Sequence, residues 1–531
     1  MATQVTGAGG TTTSFSNTPQ AKDDLFLLSE NDTGVLILNV LANDLGGAAK
    51  QLYSIDNSIP EGGLTSTKTP SPVDLLTRDT TYSTDSSGAA GTTDTSLLGA
   101  KIWMASDGTI HYDTASIAAQ LQALAAGQVL TDKLTYAIQL GNGTLSWATT
   151  IVQFTGTNDK PVITSGPQTG AVVEDAPTTP DLTDSLNAAG TIAFNDVDLI
   201  DGHTASFAAT AGETALGTFS LDSVSEAAGA AAGSVQWHYA LNNAAAQYLA
   251  AGQSVVEHYT VTVDDGHGGT ATQVVAVTIN GTNDKPVITS GPQTGAVVED
   301  APTTPDLTVS LNAAGTIAFN DVDLIDGHTA SFAATAGETA LGTFSLDSVS
   351  EAAGAAAGSV QWHYALNAAA AQYLAAGQSV VEHYTVTVDD GHGGTVEQLV
   401  TVTIHGTNDD PTITVAGTDA DGAVTEDTTA PTLSDTGTIA FNDIDLIDTH
   451  TTSVAPDAGN TLGGTLTMGA VSEDGATQPG TVGWTYEVAN AATQYLAAGE
   501  TATEKFTVTV DDGHGGTVEQ LVTVTIHGTN D

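Results

Sequence analysis

The sequence predicts an all-β chain built of tandem β-sandwiches, and three observations predict it. The string GTND recurs at Gly156–Asp159, Gly281–Asp284, Gly406–Asp409 and Gly528–Asp531, at offsets of 125, 125 and 122 residues. A fixed period of one domain length is the mark of an array in which each unit contacts its neighbours. Within a period, β-branched residues alternate with polar ones in short runs bounded by Gly, Pro, Asn and Asp. Apolar residues make up 40% of the 531 residues, enough for each unit to bury a core.

The repeats divide the chain into a disordered N-terminal segment 1–20, a divergent sandwich 21–157, and three repeats at 158–282, 283–407 and 408–531. The second and third units are near copies; Asn243 of one is Ala368 of the other. In the second unit the expected strands are Pro161–Thr164 continuing to Val173, Thr191–Asn195, Ala205–Thr210, Thr218–Val224, Val235–Leu241, Val255–Val263 and Thr270–Ile279. DDGHGG, Asp264–Gly269, is a Gly-rich hairpin turn between the last two. Seven short strands with regular turns read as an immunoglobulin-like sandwich with Trp237, Trp362 and Trp484 in successive cores. The first unit joins the pattern through DGTIHYDTASIAAQLQALAAGQVLTDKLTYAI, which aligns with QWHYALNNAAAQYLAAGQSVVEHYTVTV of the second. Domains of about 40 Å set in line give an extended rod of about 160 Å.

Nine Lys and Arg stand against 62 Asp and Glu, a net charge of −53. That field repels phosphate backbones and anionic lipid, so no nucleic-acid partner is expected. It also destabilises a compact chain unless bound cations neutralise it. There is no cysteine to staple the domains. Met1–Gln20 lacks the basic start and apolar run of a signal peptide, and no apolar stretch is long enough to insert in a membrane. Near-identical copies serve length or valency rather than catalysis, and no nucleophile elbow, P-loop or HExxH is present. The chain is expected to be a monomer that is not an enzyme and whose partners are its own neighbouring repeats. It stops on Asn530 and Asp531, midway through a linker, as an excised piece would.

The acidic residues follow the sandwich topology. The loops after strands two, four and six return to the pole where the chain arrives. In the second unit these bring Asp196 and Asp198, with Asp201 close behind, and Asp264 and Asp265, to the linker residues Asn158 and Asp159. The first long strand ends on Glu174 and Asp175, at the opposite pole, facing Asn283, Asp284, Asp321, Asp323, Asp389 and Asp390 of the next unit. The set recurs as Glu299, Asn408, Asp409, Asp443, Asp445, Asp511 and Asp512, and the donor from the first unit is Glu30 or Asp32. Converging carboxylates need compensation, and Ca²⁺ takes six to eight hard oxygens. Against this stands the turn-building role of Asx side chains, which accounts for Asp181, Asp222 and Glu226. The pair Asp264 and Asp265 fits either reading. His267, His392 and His514 lie in copies of one turn, with no second ligand at zinc spacing, and read as exposed turn residues.

GTND followed by proline, with VTVDDGHGG and VTVTIHGTND, resembles the VCBS repeats and cadherin-like domains of giant RTX-type bacterial adhesins. The resemblance covers units two to four and the second half of unit one, and NVLANDLGG at Asn39–Gly47 is similar to a motif of the cadherin-like relatives. It implies tandem immunoglobulin/cadherin-like sandwiches, secretion by a type I system, and a place on the bacterial cell surface. It also implies a calcium-rigidified extender region of an adhesin serving cell adhesion and biofilm formation. A strand-end Glu, an Asn-Asp linker, a D-x-D loop and a late Asp hold interdomain calcium in cadherins; Glu174, Asn283–Asp284, Asp321/Asp323 and Asp389/Asp390 match those roles. LAAGQ stands where the acidic cadherin motif after the fifth strand belongs, so one ion per junction is expected.

A competing expectation is a carbohydrate- or host-ligand-binding module in the first unit, whose Trp103, Tyr112, Tyr136 and Trp147 could line a sugar platform or pack a core. Extracellular polysaccharide or a host surface would otherwise be met through other domains. A third possibility is that the divergent unit only joins the stalk to an anchor.

Overall fold

The computed structural model describes the chain apart from residues 1–2, 6–7, 13–20, 58–73, 82–90, 177, 179–180, 182, 302–309, 427–428, 475–476 and 531. It is all-β, with eight sheets that pair into four two-layer sandwiches. Two compact units hold them: Met1–Ala246 with Gly252–Thr282, and Gln247–Ala251 with Asn283–Asp531.

The second sandwich shows how the repeat is built. One sheet orders Val162–Ile163, Asn187–Asn195, Ala232–Leu241 and Gly217–Leu221, with Ser225–Glu226 added beside Ala232–Leu241. The other orders Gln168–Val173, Thr270–Asn280, Ser254–Asp264 and Thr204–Ala209. The continuous strand expected from Pro161 to Val173 is therefore two strands in different sheets. Val162–Ile163 pairs antiparallel with Asn195 and Phe194, while Gln168–Val173 runs parallel to Val275–Asn280. Gly166 and Pro167 lie where the chain crosses between layers. That crossing closes both sheets and carries Glu174 to the pole away from the preceding linker.

Alternation sets the faces. In Ser254–Asp264, residues Glu257, Tyr259, Val261 and Val263 are buried and their neighbours are not. Trp237, fully buried, lies on the backbone of Gly190, where a Cβ would come within 2.6 Å of the indole. It stacks on Phe219 at 5.9 Å, and Phe219 on Tyr259 at 4.3 Å. Trp362 repeats this arrangement with Phe344 and Tyr384, and Trp484 is buried in the fourth core.

Each sandwich also buries a carboxylate that ties a loop to the core. Glu257 accepts from Leu216 N at 2.5 Å and from Tyr259 Oη at 2.6 Å. Glu382 and Glu504 do the same in their domains, and Asp132 takes the role in the first, accepting from Leu98 N and Tyr112 Oη.

The first sandwich keeps two five-stranded sheets. Within the segment 1–20, expected to be disordered, Thr3–Val5 pairs with Val35–Leu38 and Ala8–Thr12 with Lys22–Ser29; its other residues lie outside those described. Tyr112 and Tyr136 are buried in the core, Trp103 is buried and Trp147 is half-buried, so the four do not form an open platform. Among the described residues no helix is long and apolar enough to cross a membrane.

Candidate metal centres at the domain junctions

The third and fourth sandwiches, which belong to one unit, show the most complete arrangement. Glu299 follows the strand Gln293–Val298 and is fully buried. Its N donates to His405 O at 3.0 Å, and its Oε1 accepts from Thr407 N at 2.9 Å, which ties the strand end to the outgoing linker. Two residues on, Asp409 N donates to Asp445 Oδ2 at 2.8 Å, and Asp445 N donates to Asp443 Oδ1 at 2.9 Å. Glu299, Asp409 and Asp445 then each bring a carboxylate oxygen within 4.8 Å of the others. Glu299 Oε2, Asn408 Oδ1, Asp409 Oδ2 and Asp445 Oδ1 are buried without a hydrogen-bond partner. One such atom costs about 1–3 kcal/mol, so the three converging carboxylates among them require a cation or protons.

Electrostatics carries the same signature. Burial pushes the Glu299 carboxyl up to about 7, only partly offset by the Thr407 amide and reinforced by Asp409 and Asp445. Burial and neighbouring carboxylates push Asp409 and Asp445 to about 6.

A second cluster lies behind the first. Asp443, Asp448 and Asp512 are all buried, with carboxylate oxygens within 4.8 Å of one another. The two residues of the Asp511–Asp512 pair do different work. Asp511 Oδ1 accepts from Gly513 N at 2.7 Å and builds the hairpin turn. Asp512 turns inward, accepting from His514 N, Gly516 N and Asn408 Nδ2. Gly516 is required here, since a Cβ would fall 2.1 Å from Asp512 Oδ2. Burial opposes ionisation of Asp512, but these donors hold it below its usual range. Asp264 and Asp389 are likewise turn residues, and Asp265 and Asp390 the inward ones.

The first junction repeats these hydrogen bonds. Glu30, fully buried, accepts from Thr157 N and Thr157 Oγ1, while Asp32 accepts from Ser29 N and closes its own turn. Asp159 N donates to Asp198 Oδ2, Asp198 N to Asp196 Oδ1, and Asn158 Nδ2 to Asp265 Oδ2. Glu30 Oε2, Asn158 Oδ1, Asp159 Oδ2 and Asp198 Oδ1 are buried and unpartnered. Burial pushes Asp198 to about 6, with Asp196, Asp201 and Asp159 adding to the shift.

Glu174 belongs to one unit and the third sandwich's acids to the other. Glu174 Oε1 accepts from Thr282 N. In the third sandwich Asp284 N donates to Asp323 Oδ2, Asn283 Nδ2 donates to Asp390 Oδ2, and Asp321, Asp326 and Asp390 cluster within 4.8 Å.

Sequence reasoning passes over several members. Asp326 and Asp448, the counterparts of the Asp201 already placed near the linker, close the loop begun by the D-x-D pair, and Glu426 repeats the Glu299 position, accepting from Thr529 N. Their signal is register, since FNDVDLID and FNDIDLID carry the third Asp every time. His203, His328 and His450 are the other omission. His450 Nε2 lies 3.1 Å from Asp443 and Nδ1 lies 2.7 Å from Glu473, which holds the D-x-D carboxylate from outside. Glu226 does this for His203, beyond a turn-building role. His267 is about half exposed, as expected of a turn residue, and also lies 3.2 Å from Asp201.

The donor set is all oxygen, carboxylate and amide carbonyl, with histidine nitrogens at the back of the carboxylates. This fits a hard cation such as Ca²⁺ better than zinc. The geometry offers two acidic cradles at the junction of the third and fourth sandwiches, against the single site expected from the missing cadherin motif.

No protein-family profile matches the chain, and no curated protein matches it. Among solved structures it is similar to cadherin ectodomains. Protocadherin gamma B2 cadherin domains 1–5 share 15% identity with a TM-score of 0.42, covering 97% of this chain and 81% of that one. Mouse cadherin-23 domains 22–24 share 13% with a TM-score of 0.31, covering 70% of this chain and 100% of that one. Drosophila N-cadherin domains 1–4 share 13% with a TM-score of 0.23, covering 81% and 90%. Scores this low leave the fold resting on the strand pairing itself: tandem immunoglobulin/cadherin-like sandwiches.

Proposed function

We propose that the chain is a calcium-stiffened extender of a large, extracellular bacterial surface adhesin, a spacer that carries other domains and performs no catalysis. The observation that carries this reading is the buried, unpartnered carboxylate at each junction within a unit, contributed by one sandwich and met by the linker and loops of the next. A cation there bonds to both domains at once and resists rotation about the linker. Extracellular calcium modules bind at about 10⁻⁴–10⁻³ M. At ten times the dissociation constant an ion stabilises its junction by about 1.4 kcal/mol, enough to bias a hinge. The bacterial surface and type I export follow from the motif resemblance.

Small-angle scattering in calcium and in EGTA tests the stiffening. The maximum dimension should be larger and better defined in calcium; an unchanged scattering curve contradicts it.

A further inference from the structure

We propose that the junction of the third and fourth sandwiches holds calcium more tightly than the junction of the first and second, with Asp300 and Asp410 as its additional acidic groups and residue 368 controlling Asp300. The proposal rests on the reading that these cradles take calcium, and adds that the chain fills them in order.

The two junctions share the strand-end Glu with an unpartnered oxygen and the linker Asp that donates to the D-x-D loop, but differ beside them. After Glu30 comes the neutral Asn31, whose Nδ2 donates to Thr157 Oγ1 at 2.9 Å. After Glu299 comes Asp300, in a left-handed conformation at φ 50°, whose carboxylate accepts from Gln372 Nε2 at 2.9 Å and whose charge adds to burial in pushing the Asp409 carboxyl up. Asp300 therefore adds charge where Glu299, Asp409 and Asp445 already converge.

The second sandwich shows what restrains this carboxylate. Asp175 has the same conformation, φ 49°, but its N donates to Asn243 Oδ1 at 2.7 Å and its Oδ1 accepts from Asn243 Nδ2 at 2.5 Å. Ala368, at the equivalent place in the third sandwich, can make neither bond. Asn243 and Ala368 mark one of the few differences between two near copies, and it falls on the residue that clamps this Asp.

The linker differs as well. TNDKP with Lys160 becomes TNDDP with Asp410. A Cβ on Gly516 would meet Asp410 Oδ1 at 2.7 Å and Asp512 Oδ2 at 2.1 Å, so Asp410 lies beside the second cluster. Lys160 occupies that position at Gly269. The Asn-to-Asp change adds one negative formal charge and the Lys-to-Asp change two. Asp32, replaced by Ala301, returns one, for a net gain of two. Charge count is a main determinant of calcium affinity in oxygen sites.

The test is hydrogen exchange by mass spectrometry on the full chain, stripped with EGTA and titrated with calcium. Peptides spanning Thr157–Asp159 and Thr407–Asp409 report the two junctions separately, because Thr157 N and Thr407 N donate to the cradle glutamates. The proposal expects protection at Thr407–Asp409 at about tenfold lower calcium. Asp300→Asn, Asp410→Lys and Ala368→Asn should each raise that midpoint severalfold and leave the Thr157–Asp159 midpoint unmoved. Ala368→Asn installs only what the second sandwich already carries, and circular dichroism confirms its fold. Equal midpoints in the wild type, or three variants that leave the midpoint in place, overturn the proposal while calcium binding stands. If calorimetry detects no calcium uptake by the wild type, the calcium reading fails and this proposal with it.

Discussion

Glu299 and Asp409, one closing a strand of the third sandwich and the other in the linker to the fourth, hold carboxylate oxygens within 4.8 Å of each other, both with an unpartnered buried oxygen. Without a cation, this pair opposes folding; with one, it joins two domains.

Glu299→Gln separates these effects. In EGTA the variant loses like-charge repulsion, and its unfolding midpoint should rise by about 2–4 °C, the shift of roughly 1 kcal/mol in a unit of this size. In millimolar calcium it should fall below wild type. Differential scanning calorimetry in both buffers checks this. A variant that is destabilised in both marks Glu299 as a structural group alone.

The pH dependence has a definite sign. Glu299 titrates near 7 and Asp198, Asp409 and Asp445 near 6 in the folded chain, above their unfolded values. The metal-free folded state thus binds more protons than the unfolded one. Its stability is greatest below about pH 4 as far as these groups go, and is lost as pH rises through 6 to 7. The raised His203, His328 and His450 act in the same direction. Asp265, Asp390 and Asp512 are lowered, so their effect falls below this window. Metal-free unfolding midpoints should therefore drop between pH 5 and 7.5, and calcium should abolish the drop. Midpoints that climb with pH in EGTA contradict the assignment.

Trp237→Ala should cost roughly 3–5 kcal/mol, because it empties a fully buried site stacked on Phe219. Gly190→Ala should cost about 1–3 kcal/mol by forcing the indole off the backbone. Local hydrogen exchange in Ala232–Leu241 reads both, since the full chain need not unfold in one step. Unchanged protection in either variant rules out the packing described.

Much of this was legible in the sequence. The period marks the recurrence of the sheet pairs, alternation gives strands such as Ser254–Asp264, and register singles out the D-x-D and linker acids as candidates. What alternation cannot show is the sheet to which a strand belongs, so the crossing near Gly166 is hidden. Neighbours such as Asp511 and Asp512 look alike, yet one caps a turn and the other faces inward, because a hairpin turn sends successive side chains to opposite sides. Glu257 shares the parity of Val261 and Val263, which predicts burial, while its charge predicts exposure; the amide of Leu216 and the hydroxyl of Tyr259 decide for burial. His203 binds residues distant in sequence, so only the folded chain brings Asp196 and Glu226 to it.

Calorimetric titration of the EGTA-stripped full chain with calcium at pH 7.5 tests the central claim most directly. The account predicts saturable binding of more than one ion per unit, with dissociation constants of about 10⁻³ M or tighter, weakened at the affected junction by Glu299→Gln. No saturable heat up to about ten times that concentration, or full binding retained in the variant, would contradict it.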